Sequence, residues 1–229
     1  MSSAQTIQRR IGRAVTSVPR NGLRGTLART RHWVVRPLLR RVYLFEEHVW
    51  VSVPMRTRAP ELPDGYVLRH GTAADLDALA RTGGISPAVA RAHLERDATL
   101  YVAWAGDELA FSIWVHRDAV PAVAAPGGML DLPDGVVSFE DAIAAPAHRR
   151  TGIAQAVFHH AAVEQVRAGA RLLFTRFDVG NAIARRWSAK MGHADVAGVR
   201  VHRIGPLRRA RVTPLAEGDP VAALLAAQL

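Results

Sequence analysis

Residues 148–154 read His-Arg-Arg-Thr-Gly-Ile-Ala and run straight into the helical stretch QAVFHHAAVEQVRAG. A helix N-terminus presents unpaired amides and the positive end of the helix dipole. Gly152 lets backbone come close to a ligand, Ala154 keeps the first turn uncrowded, and Arg149 and Arg150 add formal positive charge. Together these residues describe a pyrophosphate cradle of the helix-terminus type. The Gly-x-x-x-x-Gly-Lys spacing of a phosphate-binding loop is missing, and so are the three glycines of the dinucleotide fingerprint. The alternative is that the arginines simply open a solvated helix after a strand.

The elements that must position this turn follow in order. VYLFEEHVWVSVPM reads as one extended strand, and RTRAPELPDG, with two prolines, reads as a linker. A boundary therefore falls near residue 60, giving a basic extension with linker over 1–60 and a second domain over 61–229. GYVLRHG is a short strand. Thr72 then caps a helix with Asp75 in its first turn and Leu76 and Leu79 on one face, and Ser86-Pro87 opens a second helix. TLYVAWAGDELAFSIWVH is a hairpin around Ala-Gly-Asp-Glu. A Pro- and Gly-rich loop, 117–135, leads to the strand VVSFEDAIAA. A long helix over 152–168, the strand RLLFTRFDV, a helix over 181–191 and a strand near ADVAGVRVHRIG follow, and then a short tail. This order is mixed α/β.

Bulk properties narrow the function classes. The 229 residues hold 30 Lys and Arg against 20 Asp and Glu, a formal charge of +10. Arg9, Arg10, Arg13, Arg20, Arg24, Arg29, Arg31, Arg36, Arg40 and Arg41 all precede the first acid, Glu46, so the charge is concentrated in an N-terminal arm. The arm reads as short basic amphipathic helices that could lie on anionic lipid, touch nucleic acid, or pack on the body. There is no cysteine, which excludes disulfides, zinc–thiolate sites and thiol catalysis. The apolar runs WVV and VYLF are too short for a secretory core or a membrane span. A cytoplasmic, or peripherally membrane-bound, protein is expected.

Arg149-x-x-Gly152-x-Ala154, following AAP and the strand segment FEDAIAA, resembles the coenzyme A motif of the GNAT superfamily of acyl-CoA-dependent N-acetyltransferases. YVLRHGTAADLDAL resembles that family's opening strand and first helix, and NAIARRWSAKMGH its closing signature. The three stretches fall in the family's order over roughly residues 65–205. The resemblance implies an α/β (α+β mixed) fold, a central twisted mixed sheet flanked by helices, with the basic arm outside it.

The resemblance also implies a reaction and a site. Acetyl-CoA, or another acyl-CoA, would be the co-substrate, with no metal. A primary amine of a small molecule or amino sugar would attack the thioester directly. Pantetheine would lie beside Ala142, Ile143 and Ala144, in a gap left where their strand splays from the next parallel strand. The pyrophosphate would sit on the amides around Arg150, Thr151, Gly152, Ile153 and Ala154, with Arg149 beside it. Asn181 would start the next helix near the pantetheine arm. Glu140 is the candidate base, because strand alternation puts it on one face with Ala142 and Ala144 and turns Asp141 away. Either acid could instead only pair with an arginine such as Arg176. Ser188 stands where the family often carries a tyrosine acid, and His193 where it carries phenylalanine.

Partners expected are the amine acceptor, anionic membrane or nucleic acid at residues 1–41, and a second copy in a homodimer. The competing reading is a non-catalytic GNAT-fold binding module docked through its arm. His159 and His160, adjacent on a helix, read as solvated or edge-of-core side chains. Trp104, Trp114 and Trp187 read as packing residues. Loop 117–135 is either a substrate lid or an ordinary surface excursion.

Overall fold

Alternating apolar residues along each strand and helical spacing in the segments between them dictate a sheet covered on both faces. A computed structural model, describing residues 43–82 and 85–229, has this architecture; the basic arm lies outside the described residues. Its strands are β1 (Tyr43–Val53), β2 (Val67–His70), β3 (Thr99–Ala105), β4 (Glu108–His116), β5 (Ala119–Pro121), β6 (Met129–Asp131), β7 (Val136–Ala144), β8 (Leu172–Asp178), β9 (Ala194–Ile204) and β10 (Leu207–Pro214). Its helices are α1 (Leu76–Thr82), α2 (Pro87–Leu94), α3 (Ile153–Arg167), α4 (Ala182–Lys190) and α5 (Pro220–Gln228).

The described residues divide between two units. The smaller comprises 43–46 and 200–210, where the rings of Tyr43 and Phe45 lie 6.3 and 4.8 Å from that of His202. The larger comprises 47–199 and 211–229; within it the mixed sheet has the order β10-β9-β1-β8-β7-β4-β3-β2, with β1, β9 and β10 entering it through residues 47–53, 194–199 and 211–214. His48–Val53 pair antiparallel with Leu173–Asp178 of β8. Residues 48–53 of this strand therefore run within the sheet of the larger unit. Val49, Val51 and Val53 are buried, and that burial is what draws it in.

The two sheet faces carry different cores. On one, Val137, Phe139, Leu173, Ile113 and Phe111 pack against Ile153, Val157, Phe158 and Ala161 of α3, whose i, i+3, i+4 spacing makes a continuous apolar stripe. The rings of Phe139 and Phe158 stack with centroids 4.7 Å apart. On the other, Leu76 and Leu79 of α1 and Ala90 of α2 pack with Leu100, Val102 and Trp114. The expected caps are in place. Thr72 and Asp75 form a capping box, Asp75 takes Arg69 on both oxygens at 2.6 and 2.9 Å, and Ser86 accepts from the Val89 amide.

Three elements differ from the sequence expectation. Loop 117–135 is neither loose nor a bare excursion: β5 and β6 pair within it, and Val120, Ala125 and Leu130 are fully buried. The short tail is instead β10 followed by α5, capped by Asp219 and buried through Val221, Ala222 and Leu225. Gln228 accepts from the Asp131 amide and donates to the Asp131 carbonyl, both at 2.9 Å, which pins α5 to β6. His159 is 5% exposed, in the core and not at its edge, and burial lowers its imidazole to about 4. Trp114 is wholly buried, and Trp104 and Trp187 pack against the two cores as expected. Among the described residues no helix is long and apolar enough to cross a membrane.

Candidate functional site

Strands β7 and β8 run parallel and pair from Val136↔Leu172 to Phe139↔Thr175, where the shared ladder stops. The Thr175 hydroxyl closes it by donating to the Phe139 carbonyl at 2.6 Å. Beyond that point each strand follows its outer neighbour. Glu140, Ile143 and Ala144 pair only with β4, and Arg176–Asp178 pair with β1. Two parallel strands thus separate with their facing backbone edges unpaired, leaving a slot that an extended, amide-bearing chain could enter as a surrogate strand.

At the foot of this slot the chain turns into α3. Gly152 is the helix N-cap, with φ +88°, and Arg150 is left-handed at φ +68°. A β-carbon at Gly152 would meet only Pro63 Cγ, at 3.9 Å, so glycine serves the backbone angle and the open approach rather than packing. Among the described residues, no acceptor takes the amides of Arg150, Thr151, Gly152, Ala154 or Gln155; that of Ile153 reaches the Thr151 hydroxyl at 3.4 Å. Unpaired amides, a helix dipole and the exposed Arg149 and Arg150 together suit an anion of phosphate type.

The turn is braced by Arg149 and Thr151 and by three residues to which the sequence reading assigned nothing, Tyr66, Glu108 and His148. His148 bonds the Tyr66 hydroxyl through Nδ1 at 3.0 Å and Glu108 through Nε2 at 3.2 Å. Arg149 Nε donates to the Ala144 carbonyl at 3.3 Å, and Thr151 donates to the His148 carbonyl at 2.9 Å. Tyr66 and His148 both follow the linker but stand 82 residues apart, and that separation hides the pair.

The acids sit differently from the alternation rule. The β4–β7 register slips between Ser112 and Trp114, so that Asp141 and Ala142 together oppose Ile113. This is a β-bulge, and Asp141 takes φ +49° in it. The bulge changes the phase of the strand. Glu140 stands opposite Trp114, on the α2 face of the sheet, and Ile143 rejoins that face. Ala144 packs on the α3 face. Glu140 therefore shares a face with Asp141 and not with Ala144. Asp141 Oδ2 lies 3.1 Å from Nε2 of His93 on α2, whose ring packs against Trp114.

Glu140 is engaged on both oxygens. Ser138 Oγ donates to Oε1 at 2.9 Å and Arg176 Nε to Oε2 at 3.2 Å. The Arg176 guanidinium also donates to the Pro121 carbonyl of β5 and lies 5.0 Å from the Trp50 ring. Burial pushes the Glu140 carboxyl above the ordinary carboxylate range, against the pull of Arg176. The ion pair anticipated with Arg176 is thus formed.

The remaining nominated residues lie on α4. Asn181 is its N-cap, accepting from the Ala184 amide at 3.0 Å. Ser188 is 2% exposed, and its hydroxyl lies 3.2 Å from His193 Nδ1. His193 packs against Phe158 and Trp187, and burial lowers its imidazole to about 4. Ser188 is therefore occupied by a neutral histidine inside the α3-side core. Among the described residues no group of three His, Cys, Asp or Glu side chains is placed to hold a metal ion. A cavity of about 370 Å³ lies between β2, β3 and α3, lined by Arg69, His70, Tyr101, Glu164 and Arg167, and none of the slot residues borders it.

No protein-family profile and no curated protein matches the chain. Solved structures do. An acetyltransferase of the GNAT family from Novosphingobium aromaticivorans superposes with a TM-score of 0.51 at 12% identity, over 69% of this chain and 63% of that one. A GCN5-related N-acetyltransferase from Sphaerobacter thermophilus gives 0.51 at 15% identity, over 78% and 56%. A GNAT-family acetyltransferase from Colwellia psychrerythraea gives 0.51 at 14% identity, over 74% and 61%. The chain covers about three fifths of the length of these structures. Its fold is the GNAT fold.

Proposed function

We propose that the protein is an acyl-CoA-dependent N-acyltransferase that passes an acetyl or acyl group to a primary amine of a small molecule or amino sugar. One observation carries the reading. The slot between β7 and β8 opens at the turn where the amides of 150–152, 154 and 155 lack acceptors. Pantetheine, an extended chain with two amides, suits the slot, and the pyrophosphate suits the turn, with Arg149 and Arg150 beside it. Ala142 and Ala144 present small side chains along the slot, Ile143 packs on the α2 side of the sheet, and Asn181 caps the helix after β8. The fold of the GNAT structures supports the same reading.

Acetyl-CoA added to the purified protein is expected to raise its melting temperature, and mass spectrometry of the protein as isolated is expected to find a CoA species. The reading fails if millimolar acetyl-CoA neither shifts the melt nor loses its acetyl group to any amine in a panel of polyamines, amino sugars and peptide α-amines.

A second reading has its own observation. Glu140 is held by Arg176 and Ser138, and Ser188 by His193, so two nominated catalytic side chains are engaged within the protein. This favours a binding module in which the scaffold persists without turnover and residues 1–41 dock on anionic membrane or nucleic acid. Deleting residues 1–41 separates the cases. A transferase keeps its activity, whereas a docking module loses a polyanion affinity that falls steeply with salt.

A further inference from the structure

Six of the eight polar side-chain atoms buried without a partner among the described residues lie on the α2 face of the sheet: Trp50 Nε1, His93 Nδ1, Trp104 Nε1, Ser112 Oγ, Trp114 Nε1 and His116 Nε2. The other two, His159 Nε2 and Gln165 Oε1, are on α3. Each such atom costs about 1–3 kcal/mol, so their concentration beside the slot marks a layer kept polar for a reason other than packing.

Two carboxylates open from that layer, and they differ in reach. Glu140 has both oxygens engaged and a side chain only 10% exposed. The Asp141 side chain is 42% exposed. Its Oδ2 meets His93, and no partner among the described residues takes its Oδ1. His93 is 3% exposed and cannot meet a substrate itself. Its imidazole is fixed by Trp114 at 4.9 Å and His116 at 4.8 Å between ring centroids. The Ala98 amide further ties the end of α2 by bonding the His93 carbonyl. With Nε2 donating to Asp141, the neutral ring carries its proton there and leaves Nδ1 bare, which matches Nδ1 having no acceptor. The charged and titratable groups facing this pair are His116 from β4, Glu140 from β7 and Arg176 from β8. Burial lowers His116 to about 4, so it adds no charge at neutral pH.

Resting on the acyltransferase reading above, we infer that Asp141 takes the proton of the acceptor amine and that buried His93 is the positioning residue that holds its carboxylate. The acceptor ammonium gives one proton to Asp141, which passes it to water. The freed nitrogen lone pair then forms the N–C bond at the thioester carbonyl as the C–S bond breaks. A second proton leaves the new amide nitrogen and ends on the departing thiolate, so the net products are amide, CoA thiol and one proton. The bulge makes the step feasible, because it turns Asp141 to the α2 face at the position preceding Ala142. The order is the reverse of the familiar nucleophile–histidine–aspartate relay, since here the carboxylate faces outward and the imidazole stands behind it.

The test uses the full chain, with CoA release as the assay and the best amine of the panel as acceptor. Asp141→Asn is expected to lower kcat by about 10²–10⁴-fold. His93→Leu should lower kcat roughly ten- to a hundredfold and leave the acetyl-CoA KM unchanged. It should also move the acidic limb of the pH profile upward, because a donor to the charged carboxylate is lost. His93→Gln, which can still donate, should restore part of both effects. Imidazole ¹⁵N shifts read the pair without any acceptor: His93 should be the Nε2–H tautomer in the wild type and change in Asp141→Asn. The inference is overturned if His93 is the Nδ1–H tautomer. It also falls if a folded His93→Leu keeps the wild-type limb, or if Glu140→Gln moves that limb and Asp141→Asn does not. If no amine is acetylated, the acyltransferase reading falls, while the tautomer measurement still decides the pair.

Discussion

Replacing Gly152 by valine tests the phosphate cradle and the backbone at once. The residue caps α3 at φ +88°, where an L side chain costs about 1–2 kcal/mol, and its β-carbon would point into open space toward Pro63. For a chain of this length each kcal/mol is worth about 2–4 °C of melting temperature, so the unliganded variant should melt about 2–8 °C lower. Acetyl-CoA at a hundred times its Kd should stabilise the wild type by about 2.7 kcal/mol. That corresponds to a rise of about 5–10 °C. In Gly152→Val the isopropyl group stands where phosphate must approach the amides, and the rise should vanish. Differential scanning calorimetry with and without acetyl-CoA, and with dephospho-CoA as a comparison, measures both terms. A variant that melts lower yet keeps the full ligand-induced rise would refute the cradle. A variant that melts as the wild type does would refute the left-handed backbone.

The other consequences are more local. Glu140→Ala removes the acceptors of both Ser138 and the half-buried Arg176, and urea denaturation should show a loss of about 1–3 kcal/mol. His116, 1% exposed, is lowered to about 4 from an ordinary 6.5, first by burial and then by His93. The unfolded chain then binds that proton more readily than the native one. Its contribution is complete above pH 6.5 and is lost as pH falls through about 4, amounting to about 2 kcal/mol already at pH 5. His116→Leu should flatten that part of the stability profile. Leu225→Ala, in the fully buried face of α5, should cost about 2–5 kcal/mol in the same measurement.

The legible parts of the fold are those that local chemistry decides. Ser86-Pro87, the Thr72–Asp75 box, the Ala-Gly-Asp-Glu hairpin and the apolar stripe of α3 each state an element through neighbours a few residues away. The glycine turn into α3 was legible for the same reason, and so was Arg176 as a partner for Glu140. What stayed hidden depends on distant segments. The α5 stretch PVAALLAAQ is apolar all round, so no periodicity announces a helix, and only its docking on β6 accounts for it. The β5–β6 pair is disguised by Pro and Gly. His93 gave one faint signal, its place three residues after buried Ala90 on α2, but its partner Asp141 is 48 residues away. The bulge is a property of how β7 meets β4, and an alternation rule applied to β7 alone assigns the wrong face to every residue after it.

The bulge also supplies a way to separate the carboxylate of Asp141 from its backbone. At φ +49° aspartate is tolerated because its short polar side chain suits the left-handed region, and glycine suits it better. Asp141→Gly therefore keeps the turn, removes the carboxylate, and leaves the His93 Nε2 proton unbound. Asp141→Leu removes the same carboxylate and adds about 1–2 kcal/mol of backbone strain. Both variants should lose the amine-dependent release of CoA, while only Asp141→Leu should show the added drop in melting temperature and a weaker hold on acetyl-CoA, because a distorted bulge misplaces Ala142 along the slot. If Asp141→Gly instead turns over amine at the wild-type rate, residue 141 serves the strand geometry alone. The proton must then leave by way of water, and the buried imidazole behind it is a packing group whose unpaired nitrogen has no catalytic meaning.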